Sequence, residues 1–209
     1  ISTIVVLALF VSIFTGCMFS GGDDDAKLNI VDDNYRNYYE IFVGSFYDSD
    51  GDGMGDLNGV TEKLDYITDL GCNGIWLMPI MPSPTYHKND VEDYENVDSA
   101  YGTAADFKKL ADACHEKGFR VVIDFVMNHS SSKHPWFTQA CEYLASLGDG
   151  EQADETACPY VGYYNFSNEK VSQTYYQVPG TTNWWYEGSF WSEMPDLNME
   201  NEAVRKEFE

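Results

Sequence analysis

Basic residues are scarce in this sequence: 12 Lys and Arg stand against 35 Asp and Glu, giving a formal net charge of -23. That balance leaves nothing to form a basic footprint for phosphates and argues against nucleic acid as a partner. It argues equally against electrostatic docking on a membrane surface, which needs clusters of Lys or Arg. No internal repeat and no low-complexity segment is evident. Cysteines are few, and Cys72, Cys114, Cys141 and Cys158 form neither a CxxC pair nor a Cys/His metal spacing. Membrane-spanning length is also missing from the apolar opening, since the run Ile1–Phe14 covers about 14 residues where a span needs roughly 20.

What is present suits a packed globular protein. Hydrophobic residues make up 44% and aromatics 15% of 209 residues, enough for one sizeable core or one large domain with an insertion. The opening run fits a signal-peptide h-region without its usual basic start. Phe14-Thr15-Gly16-Cys17 resembles a bacterial lipobox, so Cys17 is expected to be lipidated and residues 1–17 to be a lipoprotein-type signal. A polar stretch over 18–36, beginning Met18-Phe19-Ser20-Gly21-Gly22-Asp23, reads as a flexible tether. Together these place the protein on the extracellular face or in the periplasm, lipid-anchored to a bacterial membrane. Cys72 and Cys114 fall in core elements as buried thiols, whereas Cys141 and Cys158 share one irregular segment of an exported chain and are expected to form a disulfide.

From Tyr38 the pattern alternates strand, loop and helix. Tyr38–Phe46 is rich in aromatic and β-branched residues and predicts a first strand. Val60, Leu64, Ile67 and Leu70 recur at helical spacing until Gly71. Ile75–Met78 predicts a buried second strand ended by Pro79. Thr103 with Asp106 three residues on reads as a capping box, followed by a helix whose inner face is Phe107, Leu110, Ala111 and Cys114 and whose end is Gly118. Phe119–Val126 is nearly continuous apolar sequence, the mark of a fully covered parallel strand. Such units imply an α/β fold, with an open doubly wound sheet and a closed barrel both allowed. After His129 the rhythm breaks: Ser130 to Pro195 is rich in Tyr, Trp, Gly and Asn without periodicity and reads as an inserted subdomain. Asn201–Glu209 looks like the start of another helix.

The sharpest local signal is Asp48-x-Asp50-x-Asp52-Gly53-Met54-Gly55-Asp56. Oxygen donors at alternate positions around glycine turns can wrap a hard cation such as Ca2+. It is not an EF-hand, because Gly59 stands where the bidentate Glu belongs and a strand precedes it. Asp48, Asp50, Asp52, Asp56 and the Met54 carbonyl are the expected ligands, with a plain acidic turn as the rival reading. A second constellation, Asp124 to His129, sits at the C-terminal end of the third strand, the end that carries functional groups in a parallel barrel.

The strings Gly71-Cys72-Asn73-Gly74-Ile75-Trp76-Leu77-Met78-Pro79-Ile80, Asp124-Phe125-Val126-Met127-Asn128-His129 and Met194-Pro195-Asp196-Leu197-Asn198, with the calcium loop, resemble the α-amylase family of glycoside hydrolases from about Tyr38 onward. The resemblance implies a (β/α)8 TIM barrel, with the first three βα units in residues 37–129, a domain B over 130–195 and a return to the barrel over 196–209. It implies that His129 hydrogen-bonds the sugar before the cleaved bond, that Asn128 ligates a structural calcium beside domain B, and that Asp124 holds an arginine of the fourth strand. Tyr86, His87 and Asp90 match the loop that contacts sugar in the family. There Asn89 stands where members usually carry a stacking aromatic, with Tyr86 as a substitute platform. Trp184, Trp185, Tyr186, Phe190 and Trp191 either line a glycan cleft or form domain B's own core. The family's catalytic carboxylates belong to later strands, and no Asp or Glu here matches them. The expected function is an α-glucan hydrolase acting with retention on starch or maltooligosaccharides, this chain lacking the catalytic pair. The alternatives are a trehalose synthase-like isomerase on the same barrel and a non-catalytic glycan-binding surface lipoprotein.

Overall fold

The computed structural model describes residues 35–148 and 150–209; Cys17 and the segments expected to be signal and tether up to Asn34 lie outside the described residues. Three short strands, β1 (Tyr38–Ile41), β2 (Gly74–Leu77) and β3 (Arg120–Ile123), form a parallel sheet in that order. Tyr39, Ile75 and Val121 stand in one register row and Glu40, Trp76 and Val122 in the next. Because side chains alternate across a strand, the two rows face opposite sides. The first row packs, with Ile41, Leu77 and Ile123, into a core completed by Leu57, Val60, Leu64, Ile67, Leu110 and Cys114. The second row is open among the described residues: Trp76 is 43% and Val122 37% exposed. The expectation of a fully covered third strand therefore holds on one face only among the described residues, Val121 and Ile123 packing on the core while Val122 stays exposed.

The first strand is shorter than its sequence suggests. After Ile41 the chain turns into a 3-10 helix at Val43–Ser45, and the loop that follows closes back on this turn, the Gly55 N–H donating to the Gly44 carbonyl. The helix read as one over Val60–Leu70 is two, α1 (Leu57–Glu62) and α2 (Leu64–Asp69), broken at Lys63, whose N–H is shared between the carbonyls of Gly59 and Val60. Leu57, Val60, Leu64 and Ile67 still turn inward across the break, whereas Leu70, expected on the same face, caps the end of α2 and is exposed. Gly71 and Gly118 adopt left-handed φ values of 82° and 74° just beyond α2 and the next helix, a conformation that a Cβ disfavours.

Helix α3 (Ala104–Glu116) begins with the expected reciprocal cap: Asp106 N–H donates to the Thr103 hydroxyl and Thr103 N–H to the Asp106 carboxylate. A cap of this kind contributes about 1 kcal/mol. Its inner face is Phe107, Leu110, Ala113 and Cys114, with Ala113 rather than Ala111 packed on the core.

The stretch after His129 is not structureless. Helix α4 (Pro135–Ser146) starts on a proline at its first position, and Phe137, Ala140, Cys141 and Leu144 make a buried stripe at helical spacing. Strands β4 (Phe166–Ser167), β5 (Tyr175–Gln177) and β6 (Trp185–Glu187) form a small antiparallel sheet with β6 in the middle. These elements share a second core with Tyr164, Val178, Leu197 and Val204, the last from α5 (Glu202–Glu207). Edge-to-face pairs at 5.1 Å (Phe137–Tyr164) and 4.8 Å (Phe137–Tyr186) set its packing.

The expected Cys141–Cys158 disulfide is not formed. Both thiols are free and buried in this second core. Cys141 lies on the inward stripe of α4, while the Cys158 Sγ is turned to the Gln139 carbonyl at 3.9 Å. Burial pushes the Cys141 thiol up to about 12, so it stays protonated. Cys72 and Cys114 are free thiols as expected.

Candidate functional site

The segments leaving the C-terminal ends of β1, β2 and β3 meet along one edge of the parallel sheet. Phe42, just after β1, touches the Tyr86 ring at 5.9 Å, and Tyr86 lies 4.9 Å from the ring of His87. His87 shares a hydrogen bond between its Nδ1 and the Thr85 hydroxyl at 3.1 Å. Two residues further, Asn89 offers its carbonyl to His129 Nε2 at 3.1 Å, joining the loop after β2 to the segment after β3. Phe190, from the loop after β6, leans over His129 at 5.0 Å between ring centres. Tyr86 and Phe190 are more than two-thirds exposed, so this edge offers aromatic faces to solvent beside buried polar groups.

His129 itself is buried. A carbonyl can only accept, so Nε2 carries the proton, and Nδ1 is left to accept from the Asn128 amide at 3.4 Å. Burial holds the imidazole pKa below its ordinary value, against the opposing pull of the Asn89 carbonyl and the carboxylates of Asp196 and Asp90. The ring is a neutral donor in a fixed tautomer at neutral pH. Tyr94 adds a hydrogen bond from its hydroxyl to the His129 carbonyl at 2.8 Å.

Asp90 is wholly buried beside it. One carboxylate oxygen accepts from the Ser83 hydroxyl at 2.7 Å and from Thr85; the other, Oδ2, is buried without a protein partner. An unpaired buried carboxylate oxygen is costly unless a ligand or water supplies a donor.

Asp196 is the residue whose part sequence reading missed. It bridges to His129, and its carboxylate takes the Ser189 hydroxyl at 2.5 Å and the Ser189 N–H at 3.2 Å. It thereby fixes the turn that presents Phe190. Among the clustered aromatics, Trp184 and Tyr186 belong to the second core, whereas Phe190 and Trp191 are exposed. Asn128 is exposed, its amide reaching Asp196 at 3.5 Å. Asp124 stands at the end of β3, its N–H donating to the Leu77 carbonyl.

The acidic loop gathers three of its carboxylates. Asp48, Asp50 and Asp56 each place an oxygen within 4.8 Å of the others, close enough to share one cation. Asp52 falls outside that triad and accepts from the Met54 N–H at 2.7 Å. The N–H groups of Gly53 and Gly51 hold the Asp48 carboxyl below the usual range. Burial pushes Asp56 up, but the N–H groups of Ser49 and Gly59 and the Ser49 hydroxyl outweigh it, and the same residue caps α1.

An edge at the C-terminal ends of parallel strands, with exposed aromatics over a neutral histidine, is where barrel enzymes carry their functional groups. The chain belongs to the alpha-amylase family: its catalytic domain is matched over residues 40–209, and that domain is a TIM barrel. Alpha-amylase 3 of Dictyoglomus thermophilum is 46% identical over 178 residues, covering 83% of this chain and 33% of that protein. The oligo-1,6-glucosidase of Heyndrickxia coagulans is 36% identical over 182 residues, covering 81% and 31%. Among solved structures, Eubacterium rectale Amy13B superposes with a TM-score of 0.82 at 58% identity, over 87% of this chain and 35% of that one. The chain thus spans about a third of the length of these relatives.

Proposed function

We propose that the intact protein is an α-glucan hydrolase that cleaves starch or maltooligosaccharides with retention, and that this chain supplies its substrate-holding edge. The observation that carries this reading is the pair His129 and Asp90: a neutral donor in a fixed tautomer beside a carboxylate oxygen that is buried without a protein partner. Sugar hydroxyls are donors and acceptors at once, so one ring can satisfy Asp90 Oδ2 and share the His129 N–H. Tyr86 and Phe190 offer apolar faces for the ring itself. The retaining reaction needs two carboxyl groups about 5 Å apart, one to attack and one to protonate the leaving oxygen. We assign those two parts to later strands of the barrel, where the family resemblance puts them.

Asp48, Asp50 and Asp56 fit a bound Ca2+, with Asp52 and the Met54 carbonyl to complete its shell. The ion would supply structural charge compensation, tying the loop after β1 to the start of α1. The lipid anchor at Cys17 and a position on the cell surface are part of the same proposal, supported by the sequence pattern alone. Relatives that are oligo-1,6-glucosidases favour a second reading, cleavage of α-1,6 bonds. Purified intact protein given maltotetraose and isomaltotriose separates the two: release of glucose units from isomaltotriose alone would replace the α-1,4 reading.

A further inference from the structure

We infer that Lys88 is a positioning residue: its buried ion pair with Asp98 holds the His87–Asp90 segment so that the Asn89 carbonyl orients His129. This rests on the glycan-binding reading of that edge. Lys88 is the one non-glycine among the described residues with a positive φ, 62°. Left-handed backbone is unfavourable for a residue with a Cβ, so something must hold it there. Its Nζ lies 2.7 Å from Asp98 Oδ2, with the two side chains 11% and 12% exposed, and 5.3 Å over the ring of buried Tyr101. A lysine is rarely buried without such a partner.

Asp98 is fixed from several sides. Its N–H donates to the Ile80 carbonyl, its Oδ1 accepts from Ala100 N–H at 2.9 Å, and its Oδ2 also takes the Ser83 N–H. Ser83 then gives its hydroxyl to Asp90. The ion pair and the carboxylate with the unpartnered oxygen are therefore two ends of one short network. Between them lies the turn at Lys88, and the next residue presents the carbonyl that sets the His129 tautomer. An apolar side chain at this position has no donor to offer Asp98 and could not anchor the turn on it.

The test uses the intact protein with 15N-labelled histidine. Lys88→Met with Asp98→Asn removes both charges, so that neither is left buried alone. We expect this folded variant to lose the His129 Nε2–H tautomer signature, with kcat/KM on maltotetraose at least about tenfold lower. Lys88→Arg should retain both. Lys88→Gly with Asp98→Asn relieves the left-handed backbone and should recover thermal stability, yet still lose the signature. A wild-type signature and rate in either charge-free variant would overturn the inference. If the wild-type protein itself releases no sugar, the hydrolase reading fails, while the His129 signature still decides the role of Lys88.

Discussion

His129 Nε2 and the carbonyl of Asn89, 3.1 Å apart, join the loop after β2 to the segment after β3. Neighbouring Asp90 has one carboxylate oxygen satisfied by the Ser83 and Thr85 hydroxyls and one open. Asp90→Asn keeps an oxygen for Ser83 and Thr85 but loses the charge. Hydrogen bonds to a charged group contribute about 1.5–3 kcal/mol, so kcat/KM of the intact protein should fall by about tenfold or more. The melting temperature should change little. Steady-state kinetics on maltotetraose beside a thermal melt reads both; unchanged kinetics would remove Asp90 from substrate contact.

His134 makes α4 acid-sensitive. Its Nδ1 accepts from the Trp136 N–H at 3.2 Å and so caps the helix only while unprotonated. Burial lowers its pKa to about 4, with the Asp93 carboxylate opposing. A depressed pKa gives stability that is complete above the unfolded value near 6.5 and lost as pH falls toward 4. The slope would be up to about 1.4 kcal/mol per pH unit in that window. His134→Asn keeps a capping oxygen and should flatten that part of the profile. Chemical denaturation at pH 7, 5.5 and 4 on both proteins checks the sign; parallel profiles would mean that His134 does not titrate in this range.

Calcium should stabilise the intact protein through the loop after β1. A hundredfold excess over Kd contributes about 2.7 kcal/mol by mass action. Asp50→Ala, which breaks the triad without touching the Asp56 cap, should remove the calcium dependence of the melting temperature. Melts in EDTA and in millimolar calcium would show it. Equal calcium shifts in both proteins would leave the loop a solvated acidic turn.

Cys141 and Cys158 should be free thiols in the purified protein. Alkylation under native conditions should leave Cys141 unmodified, and alkylation after denaturation without reductant should label both. A linked peptide pair in non-reducing mass mapping would contradict the structure.

The strand–helix rhythm up to His129 was legible because each signal is local. The Thr103–Asp106 box, the glycines after α2 and α3 and the apolar face of Leu110 and Cys114 all act within a turn or two. The break at Lys63 left no such mark, since the apolar spacing runs through it. Helix α4 could have been found from Pro135 and the spacing of Phe137, Ala140, Cys141 and Leu144, but the surrounding aromatics masked the period. His129 and Asp90 stood out through their motifs, and the fold brings them into one neighbourhood. The hold of Asp196 on the Phe190 turn and the pairing of Lys88 with Asp98 depend on how loops fold back. Nor could spacing show that Trp184 and Tyr186 go inward while Phe190 and Trp191 stay out, because that choice is made by the second core.

The most direct test of the central claim is reducing-sugar release from soluble starch by the purified intact protein and its His129→Ala variant. The account predicts α-glucan hydrolysis by the wild type and a fall in kcat/KM of at least about a hundredfold in the variant, on the scale that loss of substrate positioning costs. A wild-type protein that releases no sugar, or a variant as active as the wild type, would contradict it.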